Sequence, residues 1–400
     1  MARLRFVFMA ATVTGCIETR SFGSGSSIAD SAGIQIVRST EPAWPAESAW
    51  TVSDTPRVDL GGRDGYRFGD IAVVAVTPAG AIAVADAASQ TIRVFDMAGR
   101  PLRTLGRRGT APGEFQALSW IAPAGDSILA YDLVSRRLTM LGTRTRTAAL
   151  QGGGALLTTP LGRFDDEALL VASGGPVFPF QGREGDVRAD SALLLRYRPD
   201  GSVKDTVAWV PWSESFGVPI GRGTQQFLAP MPRPFARRTS VAIVGDRIAV
   251  GKAERYEIAM MGADGKLQRL LRRARDPLPV TPDAIAAFKA AQRRAEPGQG
   301  LQAQVDSALE AALDSAPYPR TLPAYERILA DPSGNLWVLE YSVRFGQPQN
   351  WSVFDPGGRW LGTVRTPPGL RVEQVGERWV AGVWRDSGGE EHVRVHEVRK

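Results

Sequence analysis

Between residues 81 and 115 the chain reads AIAVADAASQTIRVFDMAGRPLRTLGRRGTAPGEF, three short apolar runs in succession. Residues 81–86 and Thr91–Phe95 are joined by Ala-Ala-Ser-Gln, and Asp96-Met97-Ala98-Gly99 turns the chain into residues 103–105. A long Gly/Pro loop then leads to the next apolar run at 118–121. Short alternating runs punctuated by tight-turn residues are hairpin-linked strands. A few of them followed by a longer crossing loop predict one blade of a radial β architecture.

The unit recurs. A turn of one chemistry appears at Phe95-Asp96-Met97-Ala98-Gly99-Arg100 and at Tyr197-Arg198-Pro199-Asp200-Gly201-Ser202. It returns at Met261-Gly262-Ala263-Asp264-Gly265-Lys266 and at Phe354-Asp355-Pro356-Gly357-Gly358-Arg359. Each joins an apolar strand end to Asp or Pro and then to a Gly that tolerates positive φ. A second turn recurs at Thr77-Pro78-Ala79-Gly80, Ala122-Pro123-Ala124-Gly125 and Asp331-Pro332-Ser333-Gly334, and more weakly at Gly245 and Gly376. An apolar run follows every one. The spacing predicts an all-β chain of six blades near 71–105, 118–150, 155–210, 239–272, 325–365 and 371–398. The third rests only on 168–172 and 193–197, and extra loops are expected near 174–190 and 211–236. The sixth blade lacks a strand at its end. Residues 57–60, Arg-Val-Asp-Leu before Gly61-Gly62 and Phe68, echo the outer strand at 103–105 before Gly106 and Phe115. They are expected to close that blade from the N-terminal side, with Ile-Gln-Ile-Val at 34–37 as a further strand nearby.

One helical pattern interrupts the strands. Thr281-Pro282-Asp283 supplies an N-cap with Pro at the first helical position, opening a helix to about residue 294. Leu301, Val305, Leu309 and Leu313 then recur four apart as one apolar stripe. This insertion at about 281–314, between blades four and five, is expected as an ornament on one face or as a lid over a central channel.

The glycine-ended strand, the GRRGTAPGEF loop and the Pro-Gly turn before Val84-Ala85-Asp86 together resemble six-bladed β-propellers related to NHL repeats and TolB-like proteins, in particular their bacterial lipoprotein members. The resemblance covers residues 34–400 and implies the fold. It carries no catalytic residues, because that group has no general catalytic signature.

The N-terminus points the same way. Arg3 and Arg5 precede a mostly apolar stretch and then Val13-Thr14-Gly15-Cys16, which resembles a bacterial lipobox. That resemblance implies a signal peptide at 1–15, cleavage after Gly15 and lipidation of Cys16, the only cysteine in the chain. Residues 16–33, rich in Gly and Ser, are then expected to be a flexible tether. Ile17 stands where an Asp would direct retention at the inner membrane, so the expectation is the outer membrane of a bacterial cell envelope. A single cysteine leaves no internal disulfide, so packing and strand ladders must hold the fold.

Charge narrows the partners. The formal net charge is +6, with 48 Lys plus Arg against 42 Asp plus Glu. Arginine pairs such as Arg107-Arg108 and Arg237-Arg238 are scattered along the chain, where charged strand edges discourage aggregation. No recognition motif accompanies them, so a nucleic-acid partner is not expected. A monomer is.

The search for catalytic groups excludes more than it finds. The two histidines, His392 and His396, fall in one predicted strand, about 13 Å apart by strand rise and beyond a shared metal. No zinc site or cofactor is expected. Asp86, Asp132, Ser173, Lys252 and Glu340 sit at the ends of the predicted second strands and would ring one mouth of the channel. They are candidates for a polar rim that takes a small ligand or cation. The bland alternative is that Asp86 and Asp132 bond nearby loop amides, as Asp commonly does. Two functions follow: a membrane-tethered, non-catalytic module binding a protein or glycan through its loop face, or a calcium-assisted hydrolase or lyase in the channel.

Overall fold

The computed structural model describes residues 19–21, 25–62, 66–152, 157–221, 223–294, 301–344 and 346–400. The expected signal peptide and Cys16 lie outside them. The described chain is almost all β, in six mainly antiparallel sheets of four or more strands and one two-stranded parallel ribbon. Sheet one comprises Ile71–Val76, Ile82–Asp86, Thr91–Phe95 and Pro101–Leu105. Sheet two runs from Leu118–Ala124 to Arg146–Ala149, and sheet three from Thr158–Arg163 to Phe227–Pro232. Sheet four is built on Ser240–Val244 through Leu267–Arg273, sheet five on Tyr325–Ala330 through Trp360–Thr366, and sheet six on Arg371–Val375 through Glu391–Arg399.

Local chemistry explains the meanders. At the expected turns, Gly99, Gly201, Gly265 and Gly358 take φ between +78° and +89°, where a side chain would be strained. Asp96 Oδ1 accepts from the amides of Ala98 and Arg100, and Asp355 Oδ1 from that of Arg359, which accounts for an Asp at the start of the turn. Two of the shorter loops, Gly125-Asp126 and Gly245-Asp246, place Gly at the first central position with φ of +60°. A tight hairpin whose twist matches its strands requires that sign there.

The first strand of each sheet lies against the first strand of the next in chain order, and Arg371–Val375 of sheet six returns to Ile71–Val76 of sheet one. This succession is propeller-like. Side chains bridge the junctions. Gln90 Oε1 accepts from Leu118 N at 2.7 Å, Arg163 donates to Pro123 O at 2.7 Å, and Ser240 Oγ accepts from Ile328 N at 2.8 Å. Arg327 donates to Val372 O at 2.8 Å. The last junction is the most heavily bonded. Gln374 accepts from Val76 N and donates to Val76 O, Arg371 donates to Ile71 O, and Glu391 accepts from Ile71 N.

That junction also receives the N-terminal chain. Val58–Leu60 pairs antiparallel with Glu391–Arg399, as the echo at 57–60 led us to expect. Val58 and Leu60 share a core cluster with Val393 and Val395 of sheet six and Val74, Val84 and Phe95 of sheet one. Both histidines serve this join. His392 Nδ1 lies 2.8 Å from Asp59 Oδ1, and His396 Nδ1 lies 2.8 Å from the Ser53 carbonyl.

Upstream of that strand the structure corrects two expectations. The strand at 34–37 does not join the closing sheet: Ile34–Ser39 runs parallel to Leu267–Arg273 in sheet four. Nor are residues 16–33 a free tether throughout, since Thr19–Ser21 and Ser26–Ser31 extend that same sheet. Ala32 and Gly33 both take positive φ, forming the two-residue turn that a serine-rich composition disguised. Low strand propensity is overridden here because the outer edge of sheet four offers a ready template. The chain then crosses sheet five, where Trp44 N donates to Leu361 O at 2.7 Å and the indole covers Gly362. A Cβ on Gly362 would stand 2.6 Å from the ring. Trp50 stacks between Trp44 and Trp337 before residue 51 reaches sheet six. The segment thus straps three consecutive sheets.

Deleting residues 57–60 removes the full burial of Val58 and Leu60, roughly 3–6 kcal/mol before any ladder bonds. We expect thermal unfolding of the whole chain to shift down in one transition, and an unchanged midpoint rules out closure by this strand. A second test uses pH. The Ser53 carbonyl can only accept, so His396 Nδ1 carries the proton, while burial lowers its pKa and leaves Nε2 without a partner. A histidine held neutral binds fewer protons folded than unfolded, so its contribution is present above about pH 6.5 and lost on acidification. Urea midpoints should fall between pH 7 and 5, and His396→Asn should flatten that part of the profile.

Candidate functional site

The five expected rim residues do come to one end of their sheets. Asp86 pairs in register with Ile71, Asp132 with Leu118, Ser173 with Thr158 and Glu340 with Tyr325, so each lies at or one residue from the end of a second strand, beside the start of a first. Lys252 follows Gly251 at the matching place in sheet four. They are not a ring of free ligands. Asp86 accepts from the amides of Asp70, Ala88 and Ser89 and from the Ser89 hydroxyl. Asp132 repeats the arrangement with Gln116, Ala117 and Ser135. Burial raises the Asp132 pKa but these bonds outweigh it, and the net shift is downward. Each Asp staples the start of its sheet to the loop after its second strand. Glu340 is held by Arg273 at 2.5 Å and Arg275 at 3.1 Å. Ser173 and Lys252 each have an interaction of their own. Among the described residues no group of three or more His, Cys, Asp or Glu is placed to hold a metal ion.

A different site is built by the segments that break the regular pattern. The region near 211–236, expected as a loop, is largely strand: Val203–Ile220 continues past the sheet and pairs with Phe227–Pro232. Pro211, Pro219, Pro230 and Pro232 obscure this in the sequence, yet an edge hairpin tolerates them. The chain between sheets four and five forms two helices, α1 (Pro282–Arg294) and α2 (Leu301–Ala312), and Thr281 Oγ1 accepts from Ala284 N as the cap of α1. The helices are not a free ornament. Val305, Ala308 and Leu309 pack on Phe216, Val218, Ile220 and Met231, so helices and hairpin share one small core and form a cap. Arg233 locks it by donating to Glu214 and to the Pro317 carbonyl.

Between this cap and sheet five lies a cleft of about 360 Å³. Phe235, Phe288 and Leu309 line its cap side, and Glu326, Tyr341 and Arg238 are among the groups that line the rest. Phe235 is the centre of an aromatic cluster with Phe288, Tyr318 and Tyr341. It takes φ of +55°, a strained conformation for a bulky residue that costs about 1–3 kcal/mol and recurs at functional sites. Glu326 is reachable by solvent, yet desolvation between ring and cap pushes its pKa above the usual carboxylate range, against the pull of Arg327 and Arg238. Burial, with the neighbouring Glu326 charge, pushes the Tyr341 hydroxyl up to about 12. Perturbed groups in an aromatic cleft mark a binding site.

Sequence marked Leu309 only as part of a helix stripe and Arg238 only as one of a scattered arginine pair, and it singled out none of these residues as a site. Glu326 does interrupt an apolar first strand, and that was the available signal. The shift in pairing between Tyr325 and Arg327 hides which way it points, and the cap joins segments far apart in the chain. A larger cavity of about 420 Å³ opens beside Arg38, Arg272, Arg273 and Arg275. Three of these cations are spent, Arg272 on Glu257 and both Arg273 and Arg275 on Glu340.

No family model and no curated protein matches the chain. Among solved structures it is similar to a member of the DUF4221 family from Bacteroides vulgatus, at 9% identity over 88% of this chain and 99% of that one, with TM-score 0.49. It is similar to the calcium-binding protein regucalcin from Agrobacterium tumefaciens, at 10% identity over 87% and 95%, with TM-score 0.41. It is likewise similar to virginiamycin B lyase from Staphylococcus aureus, at 9% identity over 88% and 100%, with TM-score 0.41. At these identities the likeness concerns the fold.

The shared core sets a test of the cap. Replacing 281–314 by a short Gly/Ser loop should leave a cooperative unfolding transition but expose Phe216, Val218, Ile220 and Met231, so a hydrophobic dye should bind several-fold more strongly. Dye binding equal to the parent means the helices do not cover that hairpin.

Proposed function

We propose that this protein is a six-bladed β-propeller lipoprotein acting as a membrane-tethered binding module, which takes a protein or glycan ligand at its capped face without catalysing a reaction. Six sheets in cyclic contact, a closing strand from the N-terminal side and the NHL-like turn chemistry support the blade count. The observation that carries the function is the cleft between cap and ring, an aromatic recess containing a carboxylate with no bonded partner among the described residues. The calcium-assisted hydrolase or lyase has less behind it. Asp86 and Asp132 spend their oxygens on amides and Glu340 its own on arginines, leaving few hard oxygen ligands to converge.

The resemblance of residues 13–16 to a lipobox supports a location in the bacterial envelope with an anchor at Cys16, and Ile17 supports the outer membrane. No helix among the described residues is long and apolar enough to cross a membrane. Only residues 17 and 18 separate Cys16 from Thr19–Ser21, so an anchor there would hold sheet four close to the lipid.

Both halves are testable in native membranes. Cys16→Ser should abolish lipid labelling and release the chain from salt-washed membranes, since several acyl chains at about 0.8 kcal/mol per methylene are what hold it. A Cys16→Ser protein that stays in the pellet contradicts the anchor. For the cleft, a photoreactive residue at Ser342 should label a ligand that the same residue at Asp126, on a first-to-second-strand turn, does not. Equal labelling from both positions, or none from Ser342, contradicts binding at the cap.

A further inference from the structure

The polar groups around the cleft are mostly committed. Arg233 bonds Glu214 and Pro317, Arg327 bonds Glu373 and Val372, and the Tyr318 and Tyr325 hydroxyls donate to backbone carbonyls. Glu326 and Arg238 are the charged exceptions. Both line the cleft, and among the described residues neither makes a hydrogen bond or ion pair, with the other or with anything else. Arg327 and, after it, Arg238 act on the Glu326 carboxyl through space, and Glu326 and Arg238 line one solvent-reachable cleft without closing on each other. The Tyr341 hydroxyl stands beside Glu326, and Phe235 and Phe288 supply apolar wall.

Elimination narrows what could fill this space. A purely anionic ligand satisfies Arg238 but meets the carboxylate of Glu326. A purely cationic one pairs with Glu326 and stacks on the aromatic wall, but is repelled by Arg238. A neutral ligand seated there would displace water from both exposed charges without pairing either, which is costly. Only a ligand carrying both an ammonium and a carboxylate, separated by its own short skeleton, pairs with each. Guanidinium and carboxylate match as a two-pronged hydrogen-bonded pair. The cavity of about 360 Å³ admits a small ligand with one apolar side chain against Phe235 and Phe288.

We propose that the cap–ring cleft is a site for zwitterionic ligands of the peptide class, an amino acid or short peptide, with the ammonium on Glu326 and the carboxylate on Arg238. This rests on the cleft being the binding site and narrows its ligand from protein or glycan to peptide chemistry. Both side chains are solvent-reachable, so replacing them leaves the fold intact.

The test is calorimetry on the full-length chain in detergent with four probes of one shape: L-phenylalanine, phenethylamine, 3-phenylpropionate and 2-phenylethanol. Phenylalanine should bind about tenfold or more tighter than either singly charged probe, the scale of one charge-assisted pair. Glu326→Gln should erase its advantage over 3-phenylpropionate, and Arg238→Gln its advantage over phenethylamine, with unchanged melting temperatures. Binding of all four probes within about twofold, at the level of experimental discrimination for a fraction of a kcal/mol, overturns the zwitterion while keeping the cleft, provided Phe288→Ala weakens it. Charge preference that survives both variants overturns the assignment of Glu326 and Arg238. Binding by none of the four counts against the zwitterion and against the cleft as a small-ligand site.

Discussion

Everything in this molecule depends on a sheet that the C-terminal end of the chain does not complete. Sheet six has three strands of its own, and its outer edge is filled by Val58–Leu60 arriving from the other end of the chain. The join is apolar at its centre, where Val58 and Leu60 meet Val393 and Val395. Around that centre it is polar, with Asp59 bonded to both His392 and Arg394. On the inner side, Glu391, Arg371 and Gln374 reach across to backbone groups of Ile71 and Val76. These are side chain to backbone bonds in a half-buried setting, where an unmade partner costs about 1–3 kcal/mol. Opening the ring at this point would orphan several at once, which makes the closed state all-or-none.

The same constraint explains where function is free to appear. A ring whose sheets are pinned edge to edge leaves its loops and insertions to vary. The Asp86 and Asp132 staples show structural demand consuming carboxylates that would look functional in a sequence. By contrast, Glu326 and Arg238 contribute nothing evident to holding the fold, and they face a cleft that exists only because two insertions pack on each other. Strain at Phe235 fits this division, because an unfavourable backbone persists only where surrounding packing holds it. Groups that cost stability without a structural return are the ones to read as binding groups.

The β pattern was legible because turn chemistry is local. Asp96 with Gly99 and Asp355 with Gly358 announce their hairpins within a few residues, so strands at 71–105 and 325–366 were readable to within a residue or two. Thr281 with Pro282 announced α1 by the same logic. Serine-rich 26–31 and proline-rich 211–232 were not legible, because their strands form on edges supplied by distant segments and not by their own propensity. The candidate site was least legible of all. Its walls come from residues 232–238, 288–292, 309–313 and 323–342, and nothing local says that these meet. Rim residues such as Asp86 were placed correctly at a strand end, but their hydrogen bonds depend on where the next loop folds back.

Hydrogen exchange across the closing join tests the central claim most directly. If Val58–Leu60 completes the ring, amides in 58–60, in 393–395 and at Ile71 should exchange only through global unfolding, with the same free energy as the inner strands of sheets one and five. Exchange of 58–60 at loop-like rates, while the amides of 325–330 remain fully protected, would contradict a ring closed by its N-terminal strand.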